Sequence, residues 1–556
     1  MEKSEPMDRS TMDRSSLDQS LRRQRVPVPF ACPGVVFLIE AALSAQRCQL
    51  LQEQARALGF CATADDYPPS YRNNDRRVYD DAELASALFA ELGSLLPAQL
   101  TDAEGNTWTL CGLNSRFRFC RYRDGQGFRI HQDGAHEPGP DRRSILTLQV
   151  YLDDDPARVG GQTRFYSERS GGLLGGVTPR IGRAIVFEHR LWHDGEPVRQ
   201  GEKHVLRTDV MYQRACIAAA IEPTARDPNR REPAQILRGH RGYVFALAAL
   251  PHGELASGSR DRTLRIFQRS SGEQRACFTG HRGSISSLCP VSDGASTSMM
   301  RLLSGGRDHA VFLHDLQRGE SAPLAELPAA VLSFADCRPT SVAAGCADGG
   351  IYLFDRRSLR ALDGRPPHQR LGPSLDPASV LPPRGGWVWA LLPRPRGRLL
   401  SAGEDGCLRL WDLASRSLLA ECALGHGAVH ALADCAGLDA QPGQRSPGIV
   451  AGCSDGHLVW LTEGEGDFPL RPQATCAVHR GEIYAVCTTQ SGHVLSAGED
   501  GRIARTRLVG ACLQPAQPPQ LGSHPNFVRS LVVLADGSVA SAGYDGTIAI
   551  WDPRTT

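Results

Sequence analysis

A short turn motif built on an aspartate recurs seven times in the second half of the chain. Successive aspartates lie 47, 40, 57, 50, 45 and 45 residues apart, and short runs of β-favouring residues flank each one. A unit of this size cannot bury its own apolar face, so neighbouring units must stack around an axis. The repeat therefore predicts an all-β propeller of seven blades over residues 234–556. The seven turns are centred on Asp261, Asp308, Asp348, Asp405, Asp455, Asp500 and Asp545.

Two further signatures accompany these turns. Several copies carry a Gly-His pair upstream of the aspartate, and two copies end on Trp-Asp. With these motifs the second half resembles the WD40 family, which implies a propeller that binds other proteins. We interpret the recurrent histidines and aspartates as scaffolding, and we expect a strand near Ile236 to complete the last blade. The pairs are Gly239-His240, Gly280-His281, Gly425-His426, Trp411-Asp412 and Trp551-Asp552.

The first part of the chain has a different organisation. Residues 1–29 are polar and charged and predict a disordered tail, and residues 216–233 carry proline and alternating charge, as a linker does. The intervening residues 30–215 predict one α+β domain, with helical periodicity followed by β-type runs. The predicted helices cover 42–58 and 81–96, and the predicted strands cover 116–122, 145–152, 184–188 and 205–212.

Three residues of this domain form a candidate metal site. In an extended strand, positions i and i+2 project to the same side, so His131 and Asp133 are expected to point together. His193 follows 60 residues after Asp133, at the end of a β-type run. Two imidazoles and one carboxylate leave open positions on an octahedral ion, which is the arrangement of non-haem Fe(II) oxygenases. The pattern therefore predicts an oxygenase site.

At these residues the segment from about 33 to 213 resembles the 2-oxoglutarate and Fe(II)-dependent dioxygenases, in particular their prolyl 4-hydroxylase-like branch. Besides the His-x-Asp motif and the distal histidine, the match rests on Tyr-x-x-Gly at 122–125 and the Gly-Gly-Gln-Thr turn at 160–163. The resemblance implies a double-stranded β-helix (jelly-roll) with its catalytic core at about 112–213. It also implies Fe(II), 2-oxoglutarate and O2 as cofactors, L-ascorbate as an aid to turnover, and peptidyl proline as a candidate substrate.

The second carboxylate of 2-oxoglutarate requires a cation, because an unpaired buried charge is unfavourable. Lys203 lies ten residues after His193, where the resemblance places this cation. Arg207, on the same face of the same strand, is the alternative, since a guanidinium can pair with a carboxylate through two hydrogen bonds. Tyr122 matches a family tyrosine whose hydroxyl bonds the same carboxylate. We favour Lys203 as the anchor and Tyr122 as its neighbour.

Composition excludes several other classes of protein. Hydrophobic residues make up 41% of the chain and no apolar run approaches the roughly 18 to 20 residues of a membrane helix. The formal net charge of +1 favours neither nucleic acid nor an anionic membrane surface. The chain has 17 cysteines without a CxxC pair, and the first residues lack the apolar core of a secretory signal. We therefore expect an intracellular, cytoplasmic protein with reduced thiols.

The expected function is a 2-oxoglutarate-dependent dioxygenase that hydroxylates a C–H bond and releases succinate and CO2. The propeller is expected to bind a partner or substrate protein. Two alternatives remain open at this point. One is a catalytically silent WD40 interaction scaffold, and the other is an oxygenase that acts on a small molecule or a free amino acid.

Overall fold

The computed structural model contains two units, and their division differs from the sequence prediction in grouping residues 64–71 with the second unit. One comprises residues 1–63 and 72–217, and the other comprises residues 64–71 and 218–556. The structure describes residues 23–63, 67–68, 71–102, 105–136, 141–168, 171–214, 232–292, 300–356, 359, 380–381, 386–436, 447–463, 470–509 and 512–552.

Two helices of the first unit pack on one face of its largest sheet. Helix α1 (Ala45–Leu58) begins at Ser44, whose hydroxyl accepts a hydrogen bond from the backbone N–H of Arg47. Helix α2 (Ala82–Leu92) begins in the same way at Asp81, and such caps satisfy N–H groups that the helix leaves unpaired. Each helix buries residues three and four positions apart, which is the spacing of one helical face. A short 3-10 helix (Gly93–Leu95) follows α2.

The strands of the first unit form two main sheets in which all pairings are antiparallel. Ten strands make the larger sheet, with the central order β1-β2-β13-β9-β16-β7-β4-β3, while β6 pairs with β16 and β5 with β6. Four strands make the smaller sheet, in the order β12-β11-β14-β8, and β10 pairs with β15. The strands are β1 (Gln24–Pro27), β2 (Val36–Glu40), β3 (Cys61–Ala62), β4 (Asp75–Asp80), β5 (Gln99–Thr101), β6 (Thr107–Leu113), β7 (Arg116–Tyr122), β8 (Phe128–His131), β9 (Arg142–Tyr151), β10 (Val159–Gly160), β11 (Thr163–Glu168), β12 (Gly171–Val177), β13 (Ala184–Glu188), β14 (Trp192–Gly195), β15 (Val198–Gln200) and β16 (Lys203–Arg214).

The two sheets face each other across an interior that contains both aromatic and polar side chains. Phe187 on β13 meets Phe165 on β11 edge to face, with ring centroids 5.3 Å apart. The Tyr151 hydroxyl on β9 donates a hydrogen bond of 2.8 Å to Thr163 on β11. The opposite face of the larger sheet buries the apolar core against α1 and α2. The larger sheet therefore separates a hydrophobic core from the interior between the sheets.

The structure corrects the sequence prediction at the start of this unit. Residues 24–27, which the sequence assigns to a disordered tail ending at residue 29, form β1 and pair with β2. Helices do not precede all strands either, because β1 and β2 come before α1. The edge strand β1 is mostly exposed, so it carries no apolar alternation that could identify it from sequence. The predicted linker at 216–233 lies outside the described residues except for its last two positions.

The described part of the second unit consists of seven antiparallel sheets of four strands each. Six sheets take four consecutive strands, from β18–β21 to β38–β41, and the seventh combines β42, β43 and β44 with β17. The strands are β17 (Gln235–Leu237), β18 (Val244–Ala249), β19 (Glu254–Ser259), β20 (Leu264–Gln268), β21 (Gln274–Phe278), β22 (Ile285–Ser292), β23 (Met300–Gly306), β24 (Ala310–Asp315), β25 (Glu320–Glu326), β26 (Val331–Cys337), β27 (Ser341–Cys346), β28 (Ile351–Asp355), β29 (Val380–Leu381), β30 (Val388–Arg394), β31 (Arg398–Gly403), β32 (Cys407–Asp412), β33 (Ser417–Ala423), β34 (Val429–Ala436), β35 (Pro447–Cys453), β36 (His457–Glu463), β37 (Leu470–Ala477), β38 (Ile483–Thr488), β39 (His493–Gly498), β40 (Arg502–Val509), β41 (Cys512–Ser523), β42 (Val528–Val533), β43 (Val539–Gly543) and β44 (Ile548–Trp551).

The seven sheets contact one another in a cycle, and each sheet takes part through one of its edge strands. Strand β18 contacts β22, the contacts continue in order through β26, β30, β34, β38 and β42, and β42 contacts β18. The strand that the sequence predicts near Ile236 is β17, which pairs with β44 at the other end of the unit. This pairing confirms the prediction that an early strand completes the last sheet.

Strand β17 allows a matched test of this closure, because its two faces differ in burial. Leu237 is 2% exposed and packs with Phe267, Ile548 and Ile550, whereas its neighbour Ile236 is 45% exposed. We expect Leu237→Ala to lower the free energy of unfolding by about 2 to 4 kcal/mol, through lost burial and the cavity left behind. Ile236→Ala should change it by less than about 1 kcal/mol. Denaturant unfolding of both variants measures the difference, and equal effects would show that β17 is not packed as described.

Candidate metal centre

The three predicted ligands meet at the smaller sheet of the first unit. His131 is the last residue of β8, and His193 lies directly across from it on β14. Asp133 follows β8 by two residues. All three side chains are buried, and one potential ligand atom from each lies within 4.8 Å of the others. Residues from two strands and one loop therefore converge on a single buried point.

Each histidine ring is oriented by a hydrogen bond to the backbone carbonyl two residues before it. Nδ1 of His131 lies 2.7 Å from the carbonyl oxygen of Arg129, and Nδ1 of His193 lies 2.9 Å from that of Leu191. With Nδ1–H as the donor, Nε2 is the available ligand atom, as in many metal-binding histidines. The two Nε2 atoms lie 3.5 and 3.7 Å from the two carboxylate oxygens of Asp133.

Burial keeps these imidazoles neutral, which metal ligation requires. Burial and, to a smaller extent, the adjacent His131 lower the pKa of His193 to about 3, although Asp133 opposes the shift. Burial also lowers the pKa of His131, and Asp133 partly offsets that effect. Both side chains are thus ready to donate a lone pair near neutral pH.

The carboxylate of Asp133 is held by two side chains from the larger sheet. The Thr147 hydroxyl donates a hydrogen bond of 2.6 Å to Oδ2, and a guanidinium nitrogen of Arg207 lies 2.6 Å from Oδ1. Burial raises the pKa of Asp133, but Arg207 and the two histidines outweigh it, so the pKa lies well below its usual range. The ligand is therefore an oriented anion.

Aromatic rings enclose the two imidazoles. Phe128 stacks on His131 with ring centroids 3.6 Å apart, and Phe187 meets His193 edge to face at 4.6 Å. Such walls lower the local polarity and limit the access of water, which strengthens electrostatic interactions inside the site.

A second polar group lies where β16 begins. Lys203 is 2% exposed and pairs across strands with Tyr122 on β7. Its Nζ lies 5.1 Å from the centroid of the Tyr122 ring and 5.7 Å from that of Tyr151. Burial and the nearby Arg158 lower the pKa of Lys203 to about 8, although the charges of Asp153 and Asp194 oppose the shift. Within the described part of the chain, no carboxylate oxygen lies at ion-pair distance from this ammonium.

The side chain of Tyr122 connects this group to the strand that carries His193. Tyr122 is 7% exposed, and its Cε1 would lie 3.8 Å from a Cβ added to Gly195, two residues after His193 on β14. The ammonium, the tyrosine and the histidine therefore belong to one interior.

The structure thus divides the predicted residues into two groups. His131, Asp133, His193 and Arg207 lie together, and Lys203 lies with Tyr122. Sequence reasoning did not identify Thr147 or the aromatic walls. Only cross-strand contact reveals the part played by Thr147, because no motif links it to Asp133.

One further signal in the sequence could have singled out Lys203. Of the 62 lysine and arginine residues, only Lys3 and Lys203 are lysines. A chain that otherwise uses arginine for nearly all its basic residues has a lysine at one buried strand position. This points to a site that needs a compact ammonium rather than a planar guanidinium.

Comparison with known proteins agrees with this division of the chain. Residues 117–208 match the family model of the 2OG-Fe(II) oxygenase superfamily. Residues 231–268, 272–315, 376–412 and 517–552 match the model of the WD domain, G-beta repeat. The chain therefore carries a 2OG-Fe(II) oxygenase domain and WD40 repeats.

Individual relatives match only part of this chain. The ribosome biogenesis protein WDR12 homolog of Chlamydomonas reinhardtii is 28% identical over 263 residues, which cover 42% of this chain and 53% of the relative. The nuclear distribution protein PAC1 of Coccidioides posadasii is 29% identical over 213 residues, which cover 32% of this chain and 40% of the relative. The crystal structure of the WD40 beta propeller domain of Doa1 has a TM-score of 0.44 at 18% identity and covers 58% of this chain and 97% of its own. The chain thus spans about half or less of the length of these two curated relatives.

The contact between Thr147 and Asp133 leads to a test of metal binding. We expect Thr147→Val to weaken Fe(II) binding about 10- to 100-fold, because Asp133 loses the hydroxyl that orients it. Thr163→Val is the matched control, since Thr163 is equally buried but its hydroxyl contacts Tyr151 and Gln149 instead. Anaerobic equilibrium dialysis measures the affinities. Equal losses in both variants would assign the effect to general destabilisation.

Proposed function

We propose that the protein is a 2-oxoglutarate- and Fe(II)-dependent dioxygenase that hydroxylates a C–H bond, with peptidyl proline as the candidate substrate. The observation that carries the proposal is the convergence of His131, Asp133 and His193 inside the segment that matches the oxygenase family model. Neutral imidazoles and an ionised carboxylate are the donors that suit Fe(II).

The donor set fits the metal that the family model implies. His131 and His193 would hold Fe(II) through Nε2, and Asp133 would hold it through one carboxylate oxygen. Fe(II) with 2-oxoglutarate and O2 supplies oxidative decarboxylation to succinate and CO2, coupled to oxidation of the substrate. The chain itself supplies the orientation of the ligands, through Thr147 and Arg207, and an interior lined by aromatic rings.

The cosubstrate site that we propose lies at Lys203 and Tyr122. A buried ammonium with no carboxylate partner in the described residues is unfavourable unless an anion pairs with it. The distal carboxylate of 2-oxoglutarate would provide that charge, and the Tyr122 hydroxyl would add a hydrogen bond. Arg207 suits this role less well, because its guanidinium already pairs with Asp133.

The architecture supports a finer description of both units. The two facing sheets of the first unit are what a double-stranded β-helix requires, and the cyclic contacts among seven four-stranded sheets are what a seven-bladed propeller requires. We infer these folds for residues 30–215, extended at the start by β1, and for residues 234–556.

We further infer that the propeller binds a partner or the protein substrate, because repeat folds of this kind offer extended binding surfaces. L-Ascorbate would support turnover, as in the prolyl 4-hydroxylase-like branch. No described helix is long and apolar enough to cross a membrane. The 16 described cysteines are free thiols, which supports our proposal of a reducing, cytoplasmic location.

The decisive experiment is a screen for substrate-dependent succinate release. Proline-containing peptides, free amino acids and small molecules are compared on the Fe(II)-loaded full chain. Release triggered by peptides supports a protein substrate, and release triggered only by small molecules supports the alternative oxygenase. A chain that binds Fe(II) and 2-oxoglutarate but never forms succinate would instead be an interaction scaffold.

The metal ligands give a direct prediction for this assay. His131→Ala, Asp133→Ala and His193→Ala should each reduce succinate formation to background, because two remaining ligands hold Fe(II) weakly. His189→Ala is the control. It removes a buried imidazole of the same interior that is absent from the cluster of potential ligand atoms. Normal turnover in any of the three ligand variants would remove that residue from the site.

The pKa of Lys203 predicts how 2-oxoglutarate affinity depends on pH. In the free protein the ammonium loses its proton as pH rises through about 8, whereas pairing with a carboxylate retains the proton. Binding then takes up a proton above pH 8. Affinity should be constant below about pH 7 and fall by up to about tenfold per pH unit above 8. Calorimetric titrations across this range measure the slope.

Two variants identify the group responsible. Lys203→Met should bind 2-oxoglutarate weakly at every pH and still bind Fe(II), because only the ammonium is lost. Arg207→Met should weaken Fe(II) binding and keep the pH slope. Since the chain has two lysines, selective 15N-lysine labelling lets NMR follow the Lys203 ammonium itself. A pH-independent affinity in the unmodified protein would contradict this assignment.

A further inference from the structure

Four sheets of the second unit share a buried chain of hydrogen bonds from an aspartate through a histidine to a serine. In the sheet of β18–β21, Nδ1 of His240 lies 2.9 Å from Asp261 and Nε2 lies 2.7 Å from Ser257. All four histidine side chains are at most 2% exposed. The other three hydrogen-bonded chains have distances of 2.6 to 3.0 Å, and they are Asp308–His281–Ser304, Asp500–His479–Ser496 and Asp545–His524–Ser541.

The sheet of β34–β37 departs from this pattern in two ways. Strand register places Ala451 where the other sheets have the serine, so the histidine has no hydroxyl to reach. His426 also lies three residues before Val429, the first residue of β34, whereas the other four histidines lie four residues before the corresponding strand. His426 keeps its contact with Asp455, at 2.7 Å, but its side chain is 23% exposed. The shorter loop and the missing hydroxyl together leave this histidine nearer the surface.

A second histidine approaches the same carboxylate. His457 lies two residues after Asp455, where two of the regular sheets carry Thr263 and Thr547. Its Nδ1 lies 3.1 Å from Oδ2 of Asp455, and its ring centroid lies 4.6 Å from that of His426. This Nδ1 is inaccessible to solvent and forms no hydrogen bond with any described residue. Its contact with Asp455 therefore lacks hydrogen-bond geometry, which leaves the lone pair of this nitrogen open to a further partner such as a metal ion.

We propose that His426, Asp455 and His457 form a zinc site. One potential ligand atom from each lies within 4.8 Å of the others. Two imidazole nitrogens and a carboxylate oxygen are typical zinc ligands, whereas Mg2+ and Ca2+ prefer sites made of oxygen. Three protein ligands leave a fourth tetrahedral position for water, which the partial exposure of the cluster allows. The proposal is independent of the oxygenase activity.

Two glycines and one backbone hydrogen bond shape the chain around the cluster. Gly425 and Gly427, on either side of His426, have φ angles of 76° and 72°, a conformation that favours glycine. The backbone N–H of Ser454 donates a hydrogen bond of 2.8 Å to the carbonyl of Ala428. Zinc would join the segment before β34 to the turn between β35 and β36. In the regular sheets the histidine and the aspartate join the equivalent segment and turn, and the serine adds a contact to the strand before that turn.

The test uses the full chain with Asp133→Ala, so that the oxygenase ligands contribute little to metal binding. We expect this reference protein to bind one zinc ion more per chain than the same protein with His457→Thr, in equilibrium dialysis at micromolar free zinc. Zinc should raise the thermal midpoint of the reference protein and leave that of the His457→Thr variant unchanged. The threonine is native to two equivalent sheets, so the metal-free midpoints should agree.

His493→Thr in the same reference protein is the matched control, because His493 lies on the neighbouring sheet outside the cluster. It should keep both the extra zinc ion and the zinc-dependent rise. Equal zinc content with and without His457 would overturn the proposal. A reference protein that binds no zinc would do so as well.

Discussion

The alternation of side chains along β16 is the constraint on which the oxygenase unit depends. Successive residues of a strand point to opposite faces, so one strand contributes to two environments. Leu206 and Val210 enter the apolar core beneath the helices, while Lys203, Arg207 and Asp209 face the interior between the sheets. A shift of register by one residue would move charges into the core and empty the site of its cations. Stability and chemistry are therefore set by the same hydrogen-bonded ladder.

Much of this arrangement could be predicted from sequence where the information is local. The bounds of β7 and β13 coincide with the predicted runs 116–122 and 184–188, because the first alternates arginine with aromatic residues and the second is a short apolar run. The repeats identified the second unit, since a recurrent turn is visible without any knowledge of packing. Spacing also suggested that His131 and Asp133 would point together.

The remaining features depend on contacts between distant strands, and spacing does not encode those contacts. Lys203 and Arg207 share a face, but they lie four positions apart along the strand, which separates them by about 13 Å. Lys203 therefore lies beside Tyr122, and Arg207 lies beside Asp133. The sequence alone offered both cations as candidates for the same role. The support that Thr147 gives to Asp133 was invisible for the same reason. In the repeats, alignment on the aspartates already places Ala451 where the four regular sheets have a serine, whereas the approach of His457 to Asp455 is visible only in the structure.

The pairing of β17 with β44 has a mechanical consequence. Gln235 lies opposite Ile550, so the outer ends of the two strands are adjacent. A tensile load applied through residues 234 and 552 would enter at that end and break the hydrogen bonds one after another, as in a zipper, rather than together in shear. Only three residues of β17 take part, so a modest pull would peel them away and uncover the edge of β44. The ring would then yield at its closure before any internal sheet came under strain.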